Sequence, residues 1–213
     1  MDNLITKIYN ESTEGILICG INWSGTLKTS EIIEKDPETY FSDTNAYYWL
    51  FRNKLLKWFK LWGHELKENL NEIDKYEKSI SYTNWLVSKS PHITDVYTKC
   101  KDDHTCIFNI LEFLKPRLIF FLSNELLKAL NSPECIKKAN TIFGKNDEAK
   151  YIQHDILFEE KKLRKFKIGF QSFQKCNIVS LPHPTGSRRL NDEYITSFKD
   201  EIGQIISEWK MRF

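Results

Sequence analysis

The side chains best able to do chemistry in this chain stand directly after short apolar runs. Gly15 to Cys19 is followed by Gly20, Ile21, Asn22, Trp23, Ser24 and Gly25, and Ile80 to Thr83 by Asn84 and Trp85. Leu118 to Leu122 leads into Ser123 and Asn124, and Ile178 to Leu181 into Pro182, His183, Pro184, Thr185, Gly186, Ser187, Arg188 and Arg189. The amides of Asn22 and Asn84 carry a donor and an acceptor in one planar group, which suits them to orient a water or to read the polar edge of a flat ligand. His183 changes charge near neutral pH, and the Arg188–Arg189 pair is suited to phosphate. Each also has a plainer reading. Asn22 is a turn residue that tolerates left-handed angles, Asn84 a helix N-cap, His183 a ring bonded to backbone in a proline-rich turn, and the arginines a solvated pair ahead of a helix capped by Asn191 or Asp192.

These positions matter only if the runs before them are strands. Their length and polar brackets fit buried strands. Between the first two runs, Trp49, Leu50, Leu55, Leu56, Phe59, Leu66 and Leu70 recur at helical spacing. Helices also fit Ile107 to Leu114, Glu125 to Leu130 and Asp192 to Lys210. Strands separated by helices require crossovers, so the expected fold is α/β, a three-layer sandwich with a central four-stranded, mostly parallel sheet and helices on both faces. In such a sheet ligands bind beyond the carboxyl ends of the strands, which makes the four loops one rim. The stretch from Phe158 to Lys175 breaks the rhythm, with Leu163, Phe166, Ile168, Phe170 and Phe173 among basic residues. It reads as an extra hairpin or basic strand, or in part as a surface helix.

Composition narrows the class. With 41% hydrophobic and 28% charged residues in 213, the chain fits an ordinary globular protein and one domain over 1–213. No repeat, linker or low-complexity tract divides it. A net charge of +2 leaves only local patches to attract phosphate. The run Lys161, Lys162, Arg164, Lys165 and Lys167 is one such patch that could follow a strand of DNA by charge, although such a run is more often a solvated face than a binding track. Cys19, Cys100, Cys106, Cys135 and Cys176 form no C-x-x-C pair, and His64, His92, His104 and His154 show no ligand spacing, so no metal site is expected. The N-terminus lacks an apolar signal and no stretch is long enough to span a bilayer, so a cytoplasmic protein without membrane contact is expected.

Gly-Ile-Asn after the first strand, together with His-Pro-Thr-Gly-Ser-Arg after the last, resembles the paired motifs of the uracil-DNA glycosylase superfamily. The first loop is most similar to the mismatch-specific and thymine-DNA branch, Gly-Ile-Asn-Pro-Gly. The last combines the His-Pro-Ser opening of the uracil-specific branches with the Pro-Ser-Gly of the mismatch-specific one; the single-strand-selective branch is also similar. Trp23 stands where the family has proline, the aspartate base of the most active branch is absent, and so are the clustered cysteines of the iron-sulfur branches.

The resemblance implies a monofunctional DNA glycosylase that hydrolyses the N-glycosidic bond of uracil or another altered pyrimidine after base flipping, without metal or organic cofactor. Asn22 would orient the water and His183 would donate to the base carbonyl as charge develops there. Asn84, Ile21, Trp23 and Phe41 would hold the base; Tyr40, Tyr47 and Tyr48 are the other aromatics available to stack on it. Thr185, Ser187, Arg188 and Arg189 would contact DNA, with Leu190 as a wedge candidate. The implied partner is DNA carrying an altered base, bound by a monomer, in repair or in defence against modified viral DNA. Two other readings stay open: a non-catalytic nucleic-acid or protein-binding member of the fold, and a hydrolase of free nucleosides or nucleotides.

Overall fold

The computed structural model describes residues 13–21, 50–67, 72–73, 75–86, 95–155, 157–158, 161–162, 166–187 and 190–211. Strand β1 (Ile16–Gly20) is followed by helices α1 (Leu50–Leu61) and α2 (Lys75–Lys78), and then by β2 (Ile80–Asn84). Helices α3 (Val96–Asp102) and α4 (Thr105–Leu114) lead to β3 (Leu118–Phe121), and α5 (Asn124–Leu130) and α6 (Pro133–Phe143) follow it. Four strands come next: β4 (Lys150–Ile152), the small hairpin of β5 (Leu157–Phe158) and β6 (Lys161–Lys162), and β7 (Ile168–Ser172). The chain closes with β8 (Asn177–Ser180), α7 (Asp192–Thr196) and α8 (Lys199–Lys210).

The main sheet has the order β2-β1-β3-β8-β7-β4. Its first four strands are parallel, and β7 and β4 extend it antiparallel. The fold is therefore α/β as expected, but the sheet is mixed and has six strands, not four. The four apolar runs are the parallel strands, each within one residue of its expected bounds. The stretch from Phe158 to Lys175 carries the expected extra strand, β7, and part of the small hairpin, whereas β4 escapes a search for apolar runs because it is exposed or half-buried throughout.

Alternation along the strands sends side chains to two separate cores. Ile16 and Ile18 of β1, with Leu118 and Phe120 of β3, pack with α1, α7 and α8. Leu17 and Cys19, with Ile119 and Phe121, pack with α3 to α6 on the other face. Both faces are thus covered by helices, as the near-continuous apolar strands require. On α1 the buried Arg52, Leu55, Trp58 and Phe59 recur at helical spacing. Just beyond it Trp62 stacks on Phe120 at 5.8 Å and donates its indole N–H to the Ile195 carbonyl at 3.1 Å. Burying aromatic rings of this size contributes roughly 1.5–3 kcal/mol each, which anchors α1 and α7 over the β3 end of the sheet.

The expected helix from Asp192 to Lys210 is two helices. Ser197 Oγ donates to the Tyr194 carbonyl at 2.8 Å, and Phe198, which starts α8, leaves helical angles at φ −101°, ψ 17°. Phe198 is fully buried and stacks on His154 at 4.0 Å. Packing at this bend overrides the continuous helical pattern.

Candidate functional site

All four parallel strands end at one level. Trp85 N–H donates to the Gly20 carbonyl at 2.9 Å, Leu86 N–H to Ile21 at 2.8 Å, Leu122 N–H to Cys19 at 2.9 Å, and Leu181 N–H to Phe121 at 2.7 Å. The ladders therefore run one or two residues past the strands before the loops separate. Trp85, fully buried, anchors the β2 end through its indole N–H on the Cys100 carbonyl at 2.8 Å.

Beyond these ends lies a cleft of about 540 Å³. Ile21 lines it from β1, Leu122 to Asn124 from β3, Phe166 and Lys167 from the approach to β7, and Pro182, His183, Thr185, Gly186 and Ser187 from β8. Ligand pockets usually run from roughly 300 to 1,000 Å³. A smaller cavity of about 250 Å³ opens among Arg117, Cys176 and Trp209 at the opposite, amino ends of the strands. The carboxyl-end cleft is the candidate site because the loops that diverge there bring the reactive side chains.

His183 is held in one protonation pattern. Its Nδ1 accepts the Gly186 N–H at 2.9 Å and the Thr185 N–H at 3.3 Å, with Thr185 Oγ1 also at 3.3 Å. A backbone N–H only donates, so Nδ1 carries the lone pair and the neutral ring carries its proton on Nε2. Burial lowers the His183 pKa below its ordinary value of 6.5 and favours this neutral form. Thr185, expected to touch DNA, thus also has a part inside the turn. A turn bonding a ring was the plain reading of His183, and the arrangement serves both readings: it fixes the ring and leaves Nε2–H as the donor.

Asn84 is 3% exposed. Its Oδ1 accepts from the Tyr82 hydroxyl at 3.2 Å, and its Nδ2 is buried with no hydrogen-bond partner among the described residues. A helix N-cap role is not seen, because Trp85 and Leu86 continue alongside β1. The same Oδ1 lies across Gly20, where a Cβ would stand 2.2 Å from it. Gly20 opposes Asn84 in the strand register, so a side chain there would displace the amide. Phe51 connects Asn84's neighbour to His183: its ring centroid is 5.5 Å from Tyr82 and 5.9 Å from His183.

Asn124 is a residue whose role the sequence did not suggest. Its Nδ2 donates to the Lys167 carbonyl at 2.8 Å, and its Oδ1 accepts from buried Ser180 Oγ at 2.8 Å. It ties the wall before β7 to the ends of β3 and β8. The clue was the Ser-Asn-Glu start of α5, where Ser123 Oγ accepts from Glu125 N–H at 3.2 Å.

The chain matches no protein-family model and no curated protein sequence.

Of the expected site residues, Ile21, His183, Thr185 and Ser187 line one cleft, and Asn84 stands on the adjoining strand end. Asn22, Trp23, Phe41, Arg188 and Arg189 lie outside the described residues, as do Tyr40, Tyr47 and Tyr48. Leu190 is corrected: it is 8% exposed and packed in the core with α1 and α7, so it is not a free wedge. In the basic run, Lys161 and Lys162 form β6 and Lys167 is exposed on the cleft wall, while Arg164 and Lys165 lie outside the described residues. The described histidines elsewhere have structural partners. His64 bonds to the Gly203 carbonyl at 3.0 Å, His104 to Lys101 at 2.7 Å and His154 to Ser197 Oγ at 3.1 Å. Among the described residues no helix is long and apolar enough to cross a membrane.

Proposed function

We propose that the chain is a monofunctional DNA glycosylase of the uracil-DNA glycosylase superfamily, hydrolysing the N-glycosidic bond of uracil or another altered pyrimidine. The observation that carries this reading is the buried Asn84 amide, with its unpartnered N–H, at the rim where His183 is held as a neutral donor. A buried polar hydrogen left without a partner costs roughly 1–3 kcal/mol, a cost that an acceptor on a bound ligand removes. Two fixed donors at the end of a parallel sheet suit a flat ligand edged with carbonyl oxygens.

In this account the target nucleotide leaves the duplex and its base enters the cleft. A water oxygen attacks the sugar C1′ and releases a proton to solvent while the bond from C1′ to the base nitrogen breaks, and the electron pair of that bond departs with the base. The His183 Nε2–H donates to the base oxygen that gains this charge, a task for a preorganised neutral donor. Asn22 orients the water, Ile21 closes the cleft beneath the base, and Trp23 and Phe41 complete its surroundings. Thr185, Ser187, Arg188 and Arg189 contact the DNA. The reaction uses side-chain dipoles and needs no organic cofactor.

Leu190 favours a second reading. With this residue in the core, the turn after β8 lacks the apolar wedge that flipping uses, as a hydrolase of free nucleosides or nucleotides also would. Incubation with duplex and single-stranded oligonucleotides containing uracil, thymine mismatches and modified cytosines, in parallel with free nucleosides, decides between them. Abasic sites support the glycosylase. Free base released only from nucleosides supports the second reading.

A further inference from the structure

The connection between β4 and β7 leaves the main sheet and returns to it at one level. Gly169 of β7 opposes Ser180 at the carboxyl end of β8, and Ile152, the last residue of β4, opposes Ile168, the first of β7. Antiparallel pairing therefore puts both ends of the connection at the cleft rim. Within it, β5 and β6 pair with each other as a separate two-stranded sheet, Leu157 opposite Lys162 and Phe158 opposite Lys161. Both legs of the connection are fastened. On the outgoing side the His154 ring stacks on Phe198 at 4.0 Å, with Nδ1 3.1 Å from Ser197 Oγ. On the returning side the Tyr194 hydroxyl donates to the Phe166 carbonyl, and Asn124 Nδ2 to the Lys167 carbonyl at 2.8 Å. The hairpin thus departs from fixed points beside the cleft, and its returning leg enters the cleft wall at the exposed Lys167.

Charge is sorted along this connection. Its acids, Asp155, Glu159 and Glu160, precede β6, whereas Lys161, Lys162, Arg164, Lys165 and Lys167 begin with β6 and have no acid among them. The acids on the helices beside it are engaged: Asp192 pairs with Lys57, Glu125 with Lys128 at 2.7 Å, and Glu201 stands 3.3 Å from His154 Nε2. In a chain with a net charge of only +2, this is a local concentration of cations at the mouth of a cleft. We propose that the β5–β6 connection is a second DNA-binding surface, on which Lys161, Lys162 and Lys167 hold phosphates of the strand flanking the target nucleotide. Ser187 lines the cleft from β8 and Lys167 from the approach to β7, so a strand crossing the mouth is met from both walls. The choice of DNA as the polyanion rests on the proposed glycosylase reading; the place of the basic run at the rim rests on the fold alone.

Lys161→Gln combined with Lys162→Gln removes two charges from the hairpin, and Lys167→Gln removes one from the cleft wall. The control combines Lys145→Gln with Lys175→Gln. Lys175 borders the cavity at the opposite, amino end of the sheet, and the Lys145 carbonyl accepts from its neighbour Gln174 at 3.1 Å. The probe is a fluorescent oligonucleotide without any altered base, single-stranded and duplex, followed by anisotropy from about 50 to 200 mM salt. Wild type is expected to bind it, with log affinity falling linearly as log salt rises. That slope is expected to lessen by about two in the hairpin variant and about one in Lys167→Gln, and to stay at the wild-type value in the control. No binding by folded wild type would overturn the proposal. So would an unchanged slope in the hairpin variant or in Lys167→Gln, or an equal loss in the control. Because the probe holds no target base, the readout is independent of excision. The expected slopes without abasic sites from uracil-containing DNA uphold the surface and remove the glycosylase; abasic sites with unchanged slopes uphold the glycosylase and overturn the surface.

Discussion

Asn84 Oδ1 occupies the space that a side chain at position 20 would need, 2.2 Å from the Cβ that Gly20 lacks. The last residue of β2 thereby folds across the last residue of β1, and the absence of one methyl group decides where a buried amide points. Gly20→Ala must push this amide off its bond to Tyr82. Because the obstructing atom is the end of a side chain, the amide can rotate away without opening the sheet. The melting temperature is expected to fall by only a few degrees, as about 1 kcal/mol implies, while base excision falls at least tenfold. Equal loss of both, seen by calorimetry and kinetics together, would count against a functional amide.

This Gly20–Asn84 contact shows where sequence reading succeeds and where it stops. The parallel strands were legible because each is a short apolar run buried on both faces, and the loops after them because strand ends carry polar residues. Strand β4 was not, since Lys150 and Tyr151 face solvent and show no apolar run. Helix α6 carried visible signals in Ser132, Pro133 and Gly144 that periodicity alone passed over. The bonds of Asn124 to Lys167 and Ser180 join residues far apart in the chain and leave no local pattern. Leu190 was misread because a single leucine beside two arginines looks exposed, whereas α7 draws it into the core.

His183 is expected to titrate below 6.5 when followed by its ring-proton shift, because burial disfavours its charged form. On acidification the unfolded chain takes up this proton first, so the folded state loses stability as pH falls from about 6.5 toward the folded pKa. Protonating Nδ1 also removes the acceptor for Gly186 N–H, which loosens the turn. Melting temperatures near neutral pH and at about pH 5.5 should therefore differ more in wild type than in His183→Gln. An equal difference in the two proteins would remove this titration from the account.

Asn124→Ala deletes both bonds of the cleft wall and leaves the buried Ser180 hydroxyl without its acceptor. A loss of about 1–3 kcal/mol in urea unfolding is expected. Binding should weaken more than the chemical step, because Asn124 shapes the wall and is not placed at the reacting atoms.

His183→Ala should lower kcat roughly 100-fold to 1,000-fold, the usual cost of removing a donor to a developing oxyanion. DNA affinity should change little, since phosphate contacts dominate it. A raised KM with unchanged kcat would assign His183 to uniform binding.

The most direct measurement incubates the protein with a uracil-containing oligonucleotide, single-stranded and duplex, and quantifies alkali-labile abasic sites and released base. Abasic sites that form with wild type, and are strongly reduced in Asn22→Ala and in His183→Ala, are the predicted result. Intact DNA across uracil, thymine-mismatch and modified-cytosine substrates, with the protein folded, would contradict the proposed glycosylase.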